Sequence, residues 1–544
     1  APQTPPVPQA PPRPASRNGG EHPLAGSPPP SPTTPPQTVH AVLSAEAPAE
    51  IALNEEAIVD VRVELAGEAA APLAHHIASA VQPAEKITAI LSVDAARLKV
   101  VGPRKLDLDP PAEGQPSQNA FVVVGLQAGD ARILVMFRQG GSDLGTVSFR
   151  TTVAQTVASS VPAARGHAEA QPRVPSDDDV LVLLIDEDRE GSQVFFRYHA
   201  HSPALGWNYK EFRSDVFKAP RSGAGTAALR YVRAIYQQIL DRVLLNSEDL
   251  QLFQTELRAL GADMCRQLLD DDFVREVWTL RSQVSAVQVT TDEPYVPWEL
   301  LRLQHPDTRE IDDKFLSEYG LVRSLKGRSA PRTLHARDWR YLVGTYPFGS
   351  QAALGREVEY LTGTLPTRGI TPQRIEAGAT PLIAALQNPD FDVLHIACHG
   401  DTDLKDVERT TLILTDRRTQ RGIEPVTVVP ATIQAEARLD ARKPRLPLVF
   451  LNACETGQQA PSLTDWGGWP RAFWEAGAAA FVGTSWSVYE KPAATFAGAF
   501  YDSLLAGSTL ARAAAAGRAA AKALGDGSWL AYTVYGNPVA RLAT

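Results

Sequence analysis

Two rhythms of apolar and polar residues divide this chain. From about residue 38 to 157 the period is two. Val59, Val61, Val63 and Leu65 alternate with Asp60, Arg62 and Glu64, the pattern of a strand buried on one face. ITAILSV (87–93), AFVVVGL (120–126), ARILVMF (131–137) and GTVSFRTTV (145–153) read as further strands. Gln139-Gly140-Gly141-Ser142-Asp143 connects the last two as a hairpin. Short strands at this spacing predict an antiparallel β-sandwich of immunoglobulin-like size over 38–157. From about 338 the rhythm becomes strand, helix, strand, helix, beginning with WRYLVGTYP (339–347) and ending with AYTVYGNP (531–538). That alternation predicts an α/β region built on a mostly parallel sheet flanked by helices.

The remaining stretches separate these parts. Residues 1–37 hold about a third of the prolines, mixed with Ser, Thr, Gln and Gly, and read as a disordered linker unable to bury a core. Residues 158–179 read as a second linker. The region 180–335 opens with strands VLVLLID (180–186) and QVFFRYHA (193–200). Helical patterns follow over 227–245 and 250–269, and the strand SAVQVTT (285–291) leads into Pro297-Trp298-Glu299-Leu300-Leu301. The multidomain layout is therefore linker 1–37, sandwich 38–157, linker 158–179, and two α/β halves, 180–335 and 336–544.

Two strands of the last half end on reactive groups. FDVLHIACHGD (391–401) stops at His399-Gly400-Asp401, and LPLVFLNACETG (446–457) stops at Cys454-Glu455-Thr456-Gly457. In parallel sheets chemistry gathers beyond the carboxyl ends of the strands. Neighbouring strands ending in His and Cys bring an imidazole to a thiol, the arrangement that generates a thiolate nucleophile. Gly400 lets a substrate carbonyl approach the backbone without a Cβ in the way. His395, two alternations before His399, faces the same way and reads as a buried histidine hydrogen-bonded to backbone, the alternative being a partner that supports the site from behind. Cys398 faces oppositely and reads as core, as does Cys265 on its helix. Alternating strand residues cannot converge on one ion, so a zinc site from His395, Cys398, His399 and Cys454 is not expected.

Composition narrows the setting. The chain has 544 residues, a net charge of −9 and only three cysteines. No basic field favours nucleic acid, no apolar run approaches a membrane span, and three cysteines fit a reducing cytoplasm rather than a disulfide framework. Residue 1 is Ala, not Met, so the numbering is expected to begin inside a longer product.

PWELL at 297–301, LGREVEYL, LHIACHGD, LNACETG, WPRAFWEAGAAAFVGTSWSV and the terminal YTVYGNP occur here in order. In this set the chain resembles the CHAT proteases, relatives of caspases and separase in the caspase-like cysteine peptidase clan. The resemblance implies a nucleophile at Cys454, a general base at His399, and an oxyanion hole from the backbone N–H groups of Gly400 and Cys454. It also implies that 180–335 is a pseudo-caspase-like half without its own dyad. In the family the strand after the nucleophile lines the primary pocket and often reads Trp-Pro-Val-Asp-Asp. Here it reads Trp486-Ser487-Val488-Tyr489-Glu490, so Trp486, Ser487, Tyr489 and Glu490 are candidate substrate contacts, with Asp401 and Glu455 as further acidic candidates. The expected activity is cleavage of a specific protein partner without cofactor or metal. The expected context is bacterial conflict or defence, with an activating partner engaged through the sandwich. The alternative is a silent CHAT-like scaffold.

Overall fold

The computed structural model describes residues 41–65, 81, 85–112, 114–157, 162–169, 180–191, 193–216, 234–235, 238, 250–292, 296–346, 355–401, 411–453, 468–486, 488–525 and 527–543. The Pro-rich segment and nearly all of the helix expected over 227–245 lie outside these residues.

The amino-terminal strands are β1 (Ala41–Pro48), β2 (Glu50–Ala52), β3 (Glu56–Leu65), β4 (Ile87–Val93), β5 (Leu98–Val101), β6 (Lys105–Leu108), β7 (Ser117–Gly125), β8 (Gly129–Gln139), β9 (Ser142–Ala154) and β10 (Ala163–Glu169). They form two five-stranded sheets, β10-β1-β3-β7-β5 and β2-β9-β8-β4-β6. The alternation read in β3 is realised: Val59, Val61 and Val63 are buried while Asp60 and Arg62 are exposed. The inward residues of both sheets meet in one core, with Leu43, Val61 and Val123 from one and Leu91, Val135 and Phe137 from the other. Each such side chain contributes about 1.5–3 kcal/mol by leaving water, so Val61→Asp would collapse this packing. Between β8 and β9, Gly140 takes φ 53°, the positive φ that a two-residue hairpin demands.

Two expectations change here. Not every pair is antiparallel: β2 runs parallel to β9, Glu50 opposite Thr152, because the chain crosses between sheets at Ala49 without reversing. The stretch expected as a linker over 158–179 contains β10, which pairs with β1, Leu43 opposite Ala168. Its sequence AARGHAE has no apolar alternation to announce it, and the small Ala164 is what it lays against the core.

The rest of the chain builds one sheet of thirteen strands. These are β11 (Val180–Glu190), β12 (Gln193–Ser202), β13 (Trp207–Arg213), β14 (Ala286–Thr291), β15 (Leu321–Leu325), β17 (Trp339–Val343), β18 (Gln373–Arg374), β19 (Val393–Asp401), β20 (Thr411–Thr419), β21 (Gly422–Val428), β22 (Leu448–Ala453), β23 (Ala480–Thr484) and β24 (Tyr532–Tyr535). The small pair β16 (Thr333–Leu334) and β25 (Arg541–Leu542) lies apart. The spatial order is β13-β12-β11-β14-β15-β24-β23-β22-β19-β17-β18, with the β20–β21 hairpin attached to β19.

The helices are α1 (Leu250–Leu268), α2 (Asp271–Leu280), α3 (Gly355–Glu359), α4 (Ala379–Gln387), α5 (Pro430–Glu436), α6 (Trp469–Ala476), α7 (Glu490–Leu505) and α8 (Leu510–Lys522). They cover both faces. Leu394, Ile396, Cys398, Val449 and Leu451 pack with α4, α5 and α6. The alternate positions Val393, Ala397, Leu448 and Phe450 pack with α7 and α8. Gly477 caps α6 at φ 109°, and a Cβ there would lie 2.5 Å from the Asp440 backbone nitrogen, so only glycine makes this turn into β23. No helix among the described residues is long and apolar enough to cross a membrane.

The two α/β halves share this sheet through β24, which lies parallel to β15 and antiparallel to β23. Hence β11, β14, β15 and β24 run one way. β23, β22, β19, β17 and β18 run the other. The carboxyl ends of the two halves lie on opposite edges.

Candidate active site

The strand carrying His399 sits between β17 and β22, parallel to both. In the β19–β22 ladder Ala397 faces Asn452 and Cys398 faces Ala453. His399 is the residue that follows Cys398, and Cys454 is the residue that follows Ala453. Cys454 itself, Glu455 and Ser487 lie outside the described residues, as does the side chain of Asp401.

His399 is half-buried at the sheet edge. Its ring stacks on Tyr346, with centroids 4.1 Å apart, and its backbone N–H donates to Tyr346 Oη at 2.8 Å. That hydroxyl in turn donates to the Ile413 carbonyl at 2.6 Å, so the histidine is clamped between the end of β17 and the hairpin strand β20. Successive strand residues alternate the side on which they present N–H and C=O. Ala397 accepts from Gly344 on the β17 side, and His399 donates on that same side. The N–H of Gly400 is thereby directed toward the β22 side.

Cys398 is fully buried on the opposite face among Ile396, Val449 and Leu451. Burial, and after it the charge of Glu357, pushes its thiol above the usual range. Cys265 is also buried, its thiol pushed up to about 12 chiefly by burial. Neither has the environment of a reactive thiol.

His395 is buried as expected, but its partner is not backbone. Its Nδ1 lies 3.0 Å from Tyr501 Oη on α7, its Nε2 lies 3.6 Å from Glu357 Oε1 on α3, and its ring stacks on Phe450. Glu357 also accepts from Asn452 Nδ2, and Asn452 Oδ1 accepts from Tyr532 Oη at 2.9 Å. Glu357 is 2% exposed and Asn452 is fully buried. Burial first, and then the Glu357 charge, holds the Tyr501 hydroxyl protonated well above the ordinary phenol range. Sequence reasoning missed Glu357. The available signal was a lone carboxylate on the apolar helix face shared with Leu361, four residues on.

Of the expected substrate contacts, Trp486 is 3% exposed and belongs to the core beneath α7 and α8. It supports the strand end rather than walling an open pocket. Tyr489 is 63% exposed. Glu490 opens α7, half-buried, and accepts from the Arg356 N–H at 3.4 Å.

Comparison with known proteins adds the following. Residues 45–149 match a domain of unknown function, DUF7363. No curated protein matches the chain. Among solved structures, one described as the structure of a protease aligns with TM-score 0.31 and 12% identity over 53% of this chain and 69% of that one. A Saccharomyces cerevisiae separase–securin complex aligns with TM-score 0.35 and 11% identity over 67% of this chain. The chain spans 30% of the length of that separase structure. The sequence match to the CHAT domain covers residues 294–533, which include the β19 and β22 ends and the Glu357 cluster. Over that span the chain is similar to the CHAT domain family.

Proposed function

We propose that the protein is a cysteine endopeptidase in which Cys454 attacks a peptide carbonyl and His399 takes the thiol proton, then returns it to the leaving amine. The observation that carries this reading is the β19–β22 register. Two adjacent parallel strands, paired through Cys398 and Ala453, continue into an imidazole on one and a thiol on the other. The clamp on His399 supports a base held in one orientation, since its backbone and ring are both tied to Tyr346. An oxyanion hole from the N–H groups of Gly400 and Cys454 is supported by the strand alternation at Gly400, and one such donor is worth about 3 kcal/mol in acyl transfer. Exposed Tyr489 and half-buried Glu490 are the candidate contacts for the substrate side chain.

The substrate is a specific protein, and a cytoplasmic role in bacterial conflict or regulated proteolysis fits this reading. The amino-terminal domain is read as a β-sandwich that receives an activating partner on its outward sheet, where Asp60 and Arg62 are exposed. The test is co-expression with candidate protein partners and sequencing of the new amino termini. Cleavage that disappears in Cys454→Ala and in His399→Ala is expected. A cleaved partner in both variants would exclude the reading and leave the silent scaffold.

A further inference from the structure

A buried carboxylate needs a compensating partner, because its charged form loses several kcal/mol of hydration. Glu357 is 2% exposed, and no arginine or lysine forms an ion pair with it among the described residues. What surrounds it instead is His395 from β19, Asn452 from β22 and, one bond further out, Tyr501 from α7 and Tyr532 from β24. His395 and His399 lie on one face of β19, and Asn452 lies on that same face of β22, two residues before Cys454. Among the described residues, the contacts of this carboxylate with the sheet run to the two strands whose ends lead to the proposed dyad.

We propose that Glu357 is a positioning residue. Its carboxylate accepts a hydrogen bond from Asn452 of β22 and lies in electrostatic contact, at 3.6 Å, with the His395 ring of β19, and so fixes the spacing at which His399 and Cys454 meet. This rests on the cysteine-protease reading above. Tyr532 completes the device by holding the far side of the Asn452 amide, which sets the amide with its nitrogen toward Glu357. A thiolate–imidazolium pair forms only where the two groups approach closely, and misplacement by about 1 Å costs roughly 100-fold in rate. An anchor common to both strands, one layer beneath their ends, limits that misplacement.

The experiment is alkylation of the full chain by iodoacetamide, with Cys454 followed by peptide mass spectrometry between pH 5 and 10. It needs no substrate. In the native chain Cys454 should react with a midpoint below the ~8.5 of a free thiol, and His399→Ala should remove that advantage. Glu357→Leu keeps the volume but deletes the acceptor, and is expected to slow Cys454 alkylation at pH 7 by roughly 10- to 100-fold and to raise its midpoint. Glu357→Gln, whose amide oxygen still accepts from Asn452, should restore the rate to within about 3-fold. Tyr532→Phe retains the ring stacked 3.6 Å from Phe496 and should fall between them. If Glu357→Leu lowers only the melting temperature while folded protein keeps the native rate and midpoint, the carboxylate is merely structural and the inference is overturned. If native chain and His399→Ala react alike, the dyad reading fails and the positioning role falls with it.

Discussion

The two edges of the thirteen-stranded sheet make a natural comparison, because each collects the carboxyl ends of one set of parallel strands. At the edge of the first half, β14 and β15 run out into Asp292 and Lys326, and the amino-terminal domain is seated over them. Lys326 is fully buried against Asp186, with Ser92 of the amino-terminal domain 3.2 Å away. Arg132 of that domain reaches Asp292 at 3.4 Å, and Arg104 reaches Asp188 at 2.9 Å. Ile90, Leu134 and Met136 pack on Val182, Leu184 and Tyr209 to seal the contact. At the edge of the second half the strand ends carry His399 and lead into Cys454. One edge has its charges matched and covered. The other ends in an imidazole held by backbone and ring contacts with Tyr346. A carboxyl edge is thus a place where a parallel sheet can put chemistry, but the residues at the strand ends decide whether it becomes a docking seam or a reactive centre.

Substituting Lys326 by Met should have the largest effect on this contrast. It removes the cation in direct contact with buried Asp186, leaving the Ser92 hydroxyl and the more distant Arg104, and breaking a buried ion pair typically costs about 3–5 kcal/mol. Calorimetry should show a large fall in melting temperature, with loss of the seam between domains. A neutral result would mean that water or another cation reaches Asp186.

The pH dependence of that seam sharpens the same point. Burial alone would raise the Asp186 carboxyl, but Lys326 outweighs it and holds the group below its reference value of 3.8. A depressed folded pKa stabilises the fold above the unfolded value, and that contribution is lost as pH falls through the folded one. The native chain should therefore lose this contribution below pH 3.8. In Lys326→Met the largest lowering influence is gone and burial is opposed by Ser92 and Arg104 alone, so the carboxyl moves upward and the variant should gain stability relative to the native chain as pH is lowered from 7 toward 3. Urea denaturation across that range distinguishes the two slopes.

On the reactive edge, Tyr346→Phe removes the hydroxyl that accepts from His399 N–H and donates to the Ile413 carbonyl. Two bonds of ordinary strength contribute about 1–3 kcal/mol, so a modest stability loss is expected with a larger loss of Cys454 reactivity. Unchanged reactivity would show that ring stacking alone orients the imidazole. Tyr489→Ala should have the smallest effect. At 63% exposure it should change stability by less than about 0.5 kcal/mol, while weakening kcat/KM for a peptide that rests against it.

Much of the catalytic half could be read from residue order because its strands are uniform apolar runs closed by glycine or polar turns. LHIACHGD and LNACETG declared both their burial and their ends. β15 was hidden because Leu321–Leu325 carries Arg323, 1% exposed. That charge is met by Glu299 at 3.6 Å and lies over the Tyr535 ring, partners far away in sequence. β10 joins a sheet edge with a sequence that carries little periodic signal, whereas β13 is short and its buried Trp207 and Tyr209 alternate over only three positions before the pattern breaks. The partners of His395 were invisible for the same reason: Tyr501 lies 106 positions away, and nothing in the β19 sequence names it. Local pattern revealed which residues are buried, while the identity of each buried polar partner depended on strand order, above all on β24 entering between β15 and β23.

The most direct test of the account is the thiol reactivity of position 454 and its dependence on position 399. A cysteine-directed activity probe applied to the native chain should label Cys454 at neutral pH. Labelling should vanish in Cys454→Ala and fall by about 10²–10⁴-fold in His399→Ala, the range a positioned general base supplies. Labelling confined to Cys265 or Cys398, or labelling of Cys454 that is indifferent to His399, would contradict it.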